Sequence, residues 1–366
     1  MQNLGKPIRR GKVCDIYAGE YVVLDRTNRV SAFDSNLPIE IPHRGLILNQ
    51  MSIRWMKLTE HIIQNHLIAT DAHTLLVLGA KPDQMGRVVA AKPCYKLPFE
   101  FIVRGHYIPS SHSWDSYKED GTICGIELPE GLEESEKLYE PIFTPSTKEE
   151  DEGKHDRNID YDELVILMKD YIYGLFSDIF DEEEVDCEEC DCKGGCDFMC
   201  CEANGKKDPD EEMSFDEYCN EFAEKLCEQI REVAINLYEF GYRYCMNCDI
   251  IMADTKFEFG LDENLNLTLI DELFTPDSSR FWNANTFEVG KPQKSMDKQY
   301  LRDYVSSLSW HGIEDGPAPE IPDYVAGNVC EIYALIYQKL FYQSLDSLTE
   351  ELSFEWYAAE KELGLK

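Results

Sequence analysis

The sequence predicts an α+β fold, and three observations carry it. The first ninety residues are dominated by short apolar or alternating runs of strand type. The second half holds long segments in which apolar residues recur every three or four positions, as on the buried stripe of a helix. Between those segments lies Met252-Ala-Asp-Thr-Lys-Phe-Glu-Phe-Gly260, a strand pattern followed by a short linker and a second apolar run. Strands and helices mixed in this way make an α+β protein, whose pairing order the pattern does not reveal. The 366 residues, 43% of them apolar, suit one large domain or two to three smaller lobes. No internal repeat is present.

Taken in order, residues 12–17 and 21–25 read as a hairpin. Residues 46–61 read as a helix with Ile53, Met56 and Leu58 on its apolar side. Residues 75–78 and 87–90 read as short strands, and 99–104 as a buried strand. Residues 105–158, rich in Gly, Pro, Ser and charge, read as binding loops more than regular elements. A helical pattern covers 161–180, and an acidic, cysteine-rich stretch follows over about 181–213. Ser214 and Glu217 then stand at capping-box spacing. They open a helix over 216–241 with Tyr218, Phe222, Leu226, Ile230, Val233, Leu237 and Phe240 on one stripe. Another helix begins near Asp297, and a long helical segment spans 324–345.

Charge narrows the function. With 71 acidic against 35 basic residues, the net charge of -36 opposes sustained contact with nucleic acid. It also repels anionic small molecules, so a phosphate ligand must meet local cations or a divalent metal. Residues 181–217 hold 16 acids and 3 bases, yet the remainder still has 55 against 32, so acidity belongs to the whole chain. No apolar run approaches the ~18 residues of a membrane span. The first ten residues lack an apolar segment of signal-peptide type, and a cytoplasmic protein is expected. Its 14 cysteines are then expected to be mostly reduced thiols.

The strand at 252–260 carries the strongest chemical signal. Asp254, Lys256 and Glu258 fall at every second position and so share one face, while Phe257 and Phe259 point into a core. Residues 262–266 can turn the chain back and bring Asp271 and Glu272 near the first strand. Carboxylate oxygens suit Mg2+ that bridges phosphates, and a lysine beside them stabilises a transferring phosphoryl group. The alternative is a hairpin ion-pair network. Elsewhere, Lys12 in Gly11-Lys-Val13 is either a phosphate contact or a surface lysine; no Walker A or Gly-x-Gly-x-x-Gly fingerprint occurs. Val13, Val22 and Leu24 either enclose an adenine or pack a β core. Asp34 orients an amine or closes an Asx-type turn. Arg104 offers a planar donor fork to a carboxylate or phosphate, with Ser110 or Ser111 on the same anion, or else forms a structural salt bridge. Lys148 can neutralise a phosphate or carboxylate, and Asp156 can accept from ribose hydroxyls or a substrate amine. His155 is a general base or a loop-packing residue.

Several of these stretches recur together. Gly11-Lys-Val, Ser31-Ala-Phe-Asp34, Ile102-Val-Arg-Gly105, Phe143-Thr-Pro-Ser-Thr-Lys148 and His155-Asp156 come first. Ala253-Asp-Thr-Lys-Phe-Glu-Phe-Gly260, Asp271-Glu, Thr275-Pro-Asp-Ser-Ser-Arg-Phe-Trp282 and Asp297-Lys-Gln follow in order. In these the chain resembles the phosphoribosylaminoimidazole-succinocarboxamide synthase (SAICAR synthetase) family of purine biosynthesis, over most of residues 8–310. The resemblance implies ATP-dependent ligation of L-aspartate to the carboxylate of carboxyaminoimidazole ribonucleotide, with Mg2+. It implies a small β-rich ATP-binding lobe, residues 1–95, over a larger α+β catalytic lobe, residues 96–366. Lys12, Val13 and Lys256 would serve ATP, while Glu258 and Asp271 would position Mg2+. Arg104, Ser110 and Arg280 would hold the ribonucleotide's phosphate or carboxylate. Asp34, Lys148 and Asp156 would organise the ribonucleotide and the incoming aspartate.

Residues 171–213 look inserted relative to the family pattern. Cys187, Cys190, Cys192, Cys196, Cys200 and Cys201 supply enough thiols for a structural Zn2+ or an iron–sulfur cluster, at neither standard spacing. An acidic loop with free thiols and a redox switch are the alternatives. Cys245-x-x-Cys248 either completes such a site or is a pair of core or loop cysteines. A small-molecule kinase or a catalytically dead scaffold on the same fold are the competing functional classes. A monomer or homodimer is expected, the helix from Tyr324 packing internally or forming a dimer face.

Overall fold

The computed structural model describes residues 4–19, 21–33, 35–148, 156–181 and 213–366. Asp34, His155 and the six clustered cysteines at 187–201 lie outside the described residues. The chain begins with β1 (Arg9–Arg10), β2 (Cys14–Tyr17) and β3 (Val22–Arg26). The expected hairpin is present, with Ile16 opposite Leu24. β4 (Arg29–Ala32) and β5 (Ser35–Glu40) pair as a separate ribbon. After α1 (Arg44–Leu58) come β6 (Leu67–Ala69), α2 (Ala72–Val77) and β7 (Val88–Ala91). They complete an antiparallel sheet of order β1-β2-β3-β7-β6. Its apolar face, including Val23, Val88 and Ala90, is closed by Leu75 and Leu76 of α2 and by Trp356 and Ala359 near the C-terminus.

A six-stranded sheet forms the centre of the molecule. It contains β8 (Tyr95–Lys96) and β9 (Phe99–His106). α3 (Asp115–Asp120) and the ribbon β10 (Thr122–Ile123) with β11 (Ile126–Glu127) lead to its next strand, β12 (Lys137–Thr147). α4 (Tyr161–Asp181) and α5 (Phe215–Met246) then precede β13 (Ile250–Leu261), β14 (Leu267–Ile270) and β15 (Ser279–Asn283). β13 is long enough to pair with β9, β8, β14 and β15 along its length. Phe101, Phe143, Phe257 and Phe259 line its apolar face in one continuous core with α1, α4 and α5. At Gly105 the helix comes so close that a Cβ would sit 1.9 Å from the Tyr238 hydroxyl, which donates to Met252 O at 2.8 Å. The chain ends with α6 (Gln299–Ser307), α7 (Asp323–Phe341) and α8 (Leu345–Glu362). Trp55 of α1 is fully buried and meets Tyr244, Phe274 and Phe341 edge-on. Such pairs each contribute about 0.5–1.5 kcal/mol beyond area burial.

Four expectations need correction. Residues 75–78 belong to helix and loop, because Asp71 caps α2 by accepting from Thr74 N at 2.8 Å. The stretch 105–158 contains an 11-residue strand, β12, stabilised by pairing with β9 rather than by its own propensity. The helix from Ser214 has its capping box but runs beyond Gly241 to Met246. Gly241 is there because Phe274 packs where a Cβ would stand. The helix expected over 324–345 is α7 and stops at Phe341: Tyr342 turns left-handed at φ 54, and Ser344 caps the separate α8.

Candidate active site

The polar face of the central sheet is built by register. On β13 and β9, Asp254 stands opposite Arg104 and Lys256 opposite Ile102. On the other side of β9, Ile142 stands opposite Arg104, Thr144 opposite Ile102 and Ser146 opposite Glu100. Residues at every second position therefore make three parallel rows, and Lys148 directly follows the end of the row on β12.

Two charge groups occupy these rows. In the first, Lys256 Nζ lies 2.6 Å from Glu100 Oε1 and 3.4 Å from Glu258 Oε1. Lys148 Nζ also meets Glu258 Oε1, and stands 3.8 Å from Glu100. Lys96 Nζ approaches Glu258 Oε2 at 3.6 Å. Three ammonium groups thus share two carboxylates. Burial opposes charge on Glu258, but Lys256, Lys148 and Lys96 prevail and hold its carboxyl well below the usual range. Burial likewise opposes charge on Lys256, and Glu100, Glu258 and Asp271 outweigh it, so its ammonium is held well above the ordinary lysine value. In the second group, Asp254 takes Arg104 at 3.4 Å and also Arg280. Thr144 accepts from Arg104 Nε at 2.9 Å.

Asp271 follows Ile270, which pairs with Glu258. Its backbone is left-handed at φ 62. Arg26 Nη2 donates to Asp271 O at 2.6 Å, and Arg26 Nη1 reaches Oδ1 at 3.4 Å. Glu272, beside it, lies 3.8 Å from Arg26. Burial and then Asp271 raise the Glu272 carboxyl, so negative charge is crowded here. The turn bearing Lys12 and Val13 belongs to the same neighbourhood. Gly11 N donates to Cys14 O at 2.8 Å, and Val13 O accepts from Thr27 N at 2.9 Å. The Cys14 thiol is pushed up to about 12 by burial first, with Arg26 opposing and Asp271 adding. Lys12 itself is exposed.

The structure therefore brings together Lys256, Glu258 and Lys148, with Asp271 acting on Lys256, and brings Arg104 together with Arg280. Ser110 is exposed in the turn after β9. Asp156 is exposed where residues 157–159 return along the end of β12; Thr147 N donates to Arg157 O at 3.0 Å. Sequence reasoning missed Glu100 and Lys96. Glu100 and Arg104 show the same two-residue period that singled out Lys256 and Glu258, so that signal was available. Cys245 is a buried core residue, and Cys248 Sγ lies 3.8 Å from the Tyr342 hydroxyl. Among the described residues, no three His, Cys, Asp or Glu side chains form a ready metal cluster, and no helix is long and apolar enough to cross a membrane.

A row of lysines beside crowded carboxylates is suited to phosphate chemistry. A family model described as SAICAR synthetase matches residues 7–181 and 198–317. The interval it skips, 182–197, falls within the stretch expected to be inserted. A phosphoribosylaminoimidazole-succinocarboxamide synthase from Thermodesulfovibrio yellowstonii is 36% identical over 338 residues, 92% of this chain and 95% of that protein. The SAICAR synthase of Saccharomyces cerevisiae, solved in complex with SAICAR, is 28% identical at a TM-score of 0.68, covering 94% of this chain and 98% of its own. A SAICAR synthetase solved in complex with ADP shares the fold at a TM-score of 0.54 and 21% identity, covering 92% and 98%. The chain belongs to the SAICAR synthetase family.

Proposed function

We propose that this enzyme joins L-aspartate to the carboxylate of 5-amino-1-(5-phospho-D-ribosyl)imidazole-4-carboxylate, giving SAICAR, ADP and phosphate in purine biosynthesis. One observation carries the reading: in a member of this family, Lys256, Lys148 and Lys96 gather around Glu258 on an accessible strand face. A carboxylate is a poor acyl donor because oxide would have to leave. Its oxygen instead attacks the γ-phosphorus of ATP, the bond to the β–γ bridging oxygen breaks, and ADP departs. The aspartate amine then attacks the acyl carbon, the carbon–oxygen bond to phosphate breaks, and the amine gives up a proton. Both steps depend on alignment and on charge stabilisation more than on covalent help from the protein.

The residues divide as follows in this reading. Lys256 and Lys12 leave their resting partners for the phosphates of ATP, with Val13 beneath the nucleotide. Arg104, Ser110 and Arg280 hold the ribonucleotide's phosphate or carboxylate, Asp254 setting the angle between the two guanidinium groups. Asp34, Lys148 and Asp156 organise the ribonucleotide and the aspartate. The donor set also fits Mg2+. Glu258 and Asp271 offer hard oxygen ligands, and the Glu272 carboxyl, raised by burial first and then by Asp271, adds negative charge that favours a cation beside them. Mg2+ usually takes only one or two protein carboxylates together with phosphate oxygens, and when bound it neutralises phosphate charge. Residues 1–95 form the ATP lobe and 96–366 the catalytic lobe in this proposal, with water excluded from the acyl phosphate between them. The enzyme acts in the cytoplasm, as a monomer or homodimer, on small phosphorylated substrates.

Incubation with ATP, the ribonucleotide and aspartate tests the reading. A new amide should form, with ADP release dependent on both co-substrates. A stable phosphorylated product without aspartate would make the protein a kinase, and binding without turnover would make it a scaffold.

A further inference from the structure

The family match stops at residue 317, yet α7 beyond it reaches Asp277, in the loop before β15. Tyr333 on α7 is fully buried, and its hydroxyl donates to Asp277 Oδ1 at 2.6 Å. The other oxygen, Oδ2, accepts from Arg44 Nη2 at 2.6 Å and from Lys298 Nζ at 2.9 Å. Donors from α1, α7 and the start of α6 thus meet on one carboxylate.

Asp277 lies in the span 271–279, which links the Asp271–Glu272 pair to β15. One bond ties this span to β13, and two more brace it internally. Ser278 O accepts from Lys256 N at 3.0 Å. The Thr275 hydroxyl donates to Glu272 Oε2 at 2.8 Å and accepts from Asp277 N at 3.3 Å. A shift of Asp277 is therefore passed to the backbone of Lys256 and to the carboxylate of Glu272. Both cations pull on Oδ2. Without a donor on Oδ1, the carboxylate is free to rotate and share both oxygens between Arg44 and Lys298, which turns Asp277 and its loop.

We propose that Tyr333 is a positioning residue for phosphoryl transfer: its hydroxyl fixes Asp277, and through the 271–279 span it sets the placement of Lys256 and Glu272. The proposal rests on the ligase reading. It also makes α7, which lies beyond the family match, a working part of the site rather than an appendage. Small misplacements of reacting groups are costly, up to about 10²-fold for 1 Å.

Tyr333→Phe removes one hydroxyl and leaves the ring in place. The expected result is a fall in kcat of about 10-fold, with KM for ATP, ribonucleotide and aspartate changed less than about two-fold. Amide hydrogen exchange at Lys256 and Ser279 should quicken while exchange in α4 and α5 stays as in the wild type. In an Asp277→Asn background the same change should add little further loss, since the two groups act as a unit. Wild-type kcat with unchanged exchange at 256 and 279 overturns the proposal, as does a loss of activity that only tracks the folded fraction. Should Y333F fail to fold, fluorotyrosine placed at position 333 alone keeps the shape and strengthens the donor. Slower exchange at Lys256 with an altered kcat then supports the proposal, and identical behaviour overturns it. A wild-type protein that makes no amide would sink the ligase reading itself, a distinct outcome.

Discussion

Two charged clusters, linked by the bond from Lys256 N to Ser278 O, differ sharply in their exposure. Around Glu258, the side chains of Lys96, Lys148 and Lys256 keep 35%, 22% and 28% of their surface exposed. Around Asp277, those of Arg44 and Lys298 keep 2% and 10%. The first cluster has more ammonium groups than carboxylates and faces solvent, so its cations can exchange their partners for an anionic ligand. The second is sealed, with one carboxylate taken up by two cations and a tyrosine hydroxyl. A buried pair gives little net stability, but breaking it leaves a charge that cannot be solvated. The salt bridges thus split into an exposed set, which the proposed function gives to a ligand, and a sealed set that holds the frame.

Arg44→Met attacks the sealed cluster. It leaves Thr27 O without the donor that Arg44 supplies at 3.0 Å and leaves Asp277 short of one cation. Unfolding free energy, read from urea titration, should drop by about 3–5 kcal/mol. Lys256→Ala attacks the open cluster. Turnover should fall by more than about 100-fold, while stability changes by less than about 1 kcal/mol. If K256A proves as unstable as R44M, the division between the two clusters breaks down. A smaller effect comes from His66, whose imidazole is lowered to about 3 by burial first and then by Arg26 and Lys92. The unfolded chain takes up this proton near the ordinary value of 6.5. The stability it carries is complete above that pH and declines as pH falls toward 3, at about 1.4 kcal/mol per unit. His66→Gln should flatten the stability profile between pH 6.5 and 5 by about 2 kcal/mol. An unchanged profile would show that His66 is protonated in the folded protein, and that the Arg26 side of the site is wetter than its packing implies.

Legibility in the sequence followed range. Lys256 and Glu258 were visible because a period of two on one strand is a local rule. Lys148 entered through its motif, and register then carried it to Glu258 across 110 positions. Glu100 obeys the same period but sits in an otherwise apolar run, which masks it. The helix at 215 was legible because Ser214 and Glu217 cap it locally, whereas β12 owes its form to β9 and left no equivalent local mark. Arg104 and Arg280 were marked as ligand donors, and their convergence on Asp254 was not foreseen, since β15 meets β13 only through tertiary pairing. The Asp277–Tyr333 contact joins residues 56 positions apart and has no periodic signature.

The closing of the first sheet by Trp356 and Ala359 has a consequence for biogenesis. Ribosomes add about 5–20 residues per second, so Val88 emerges roughly 13–50 s before Trp356. Throughout that interval the strands near the N-terminus lack part of their cover. The nascent protein therefore carries an unfinished apolar surface through most of its own translation, and that is where a holding chaperone has the longest opportunity to bind.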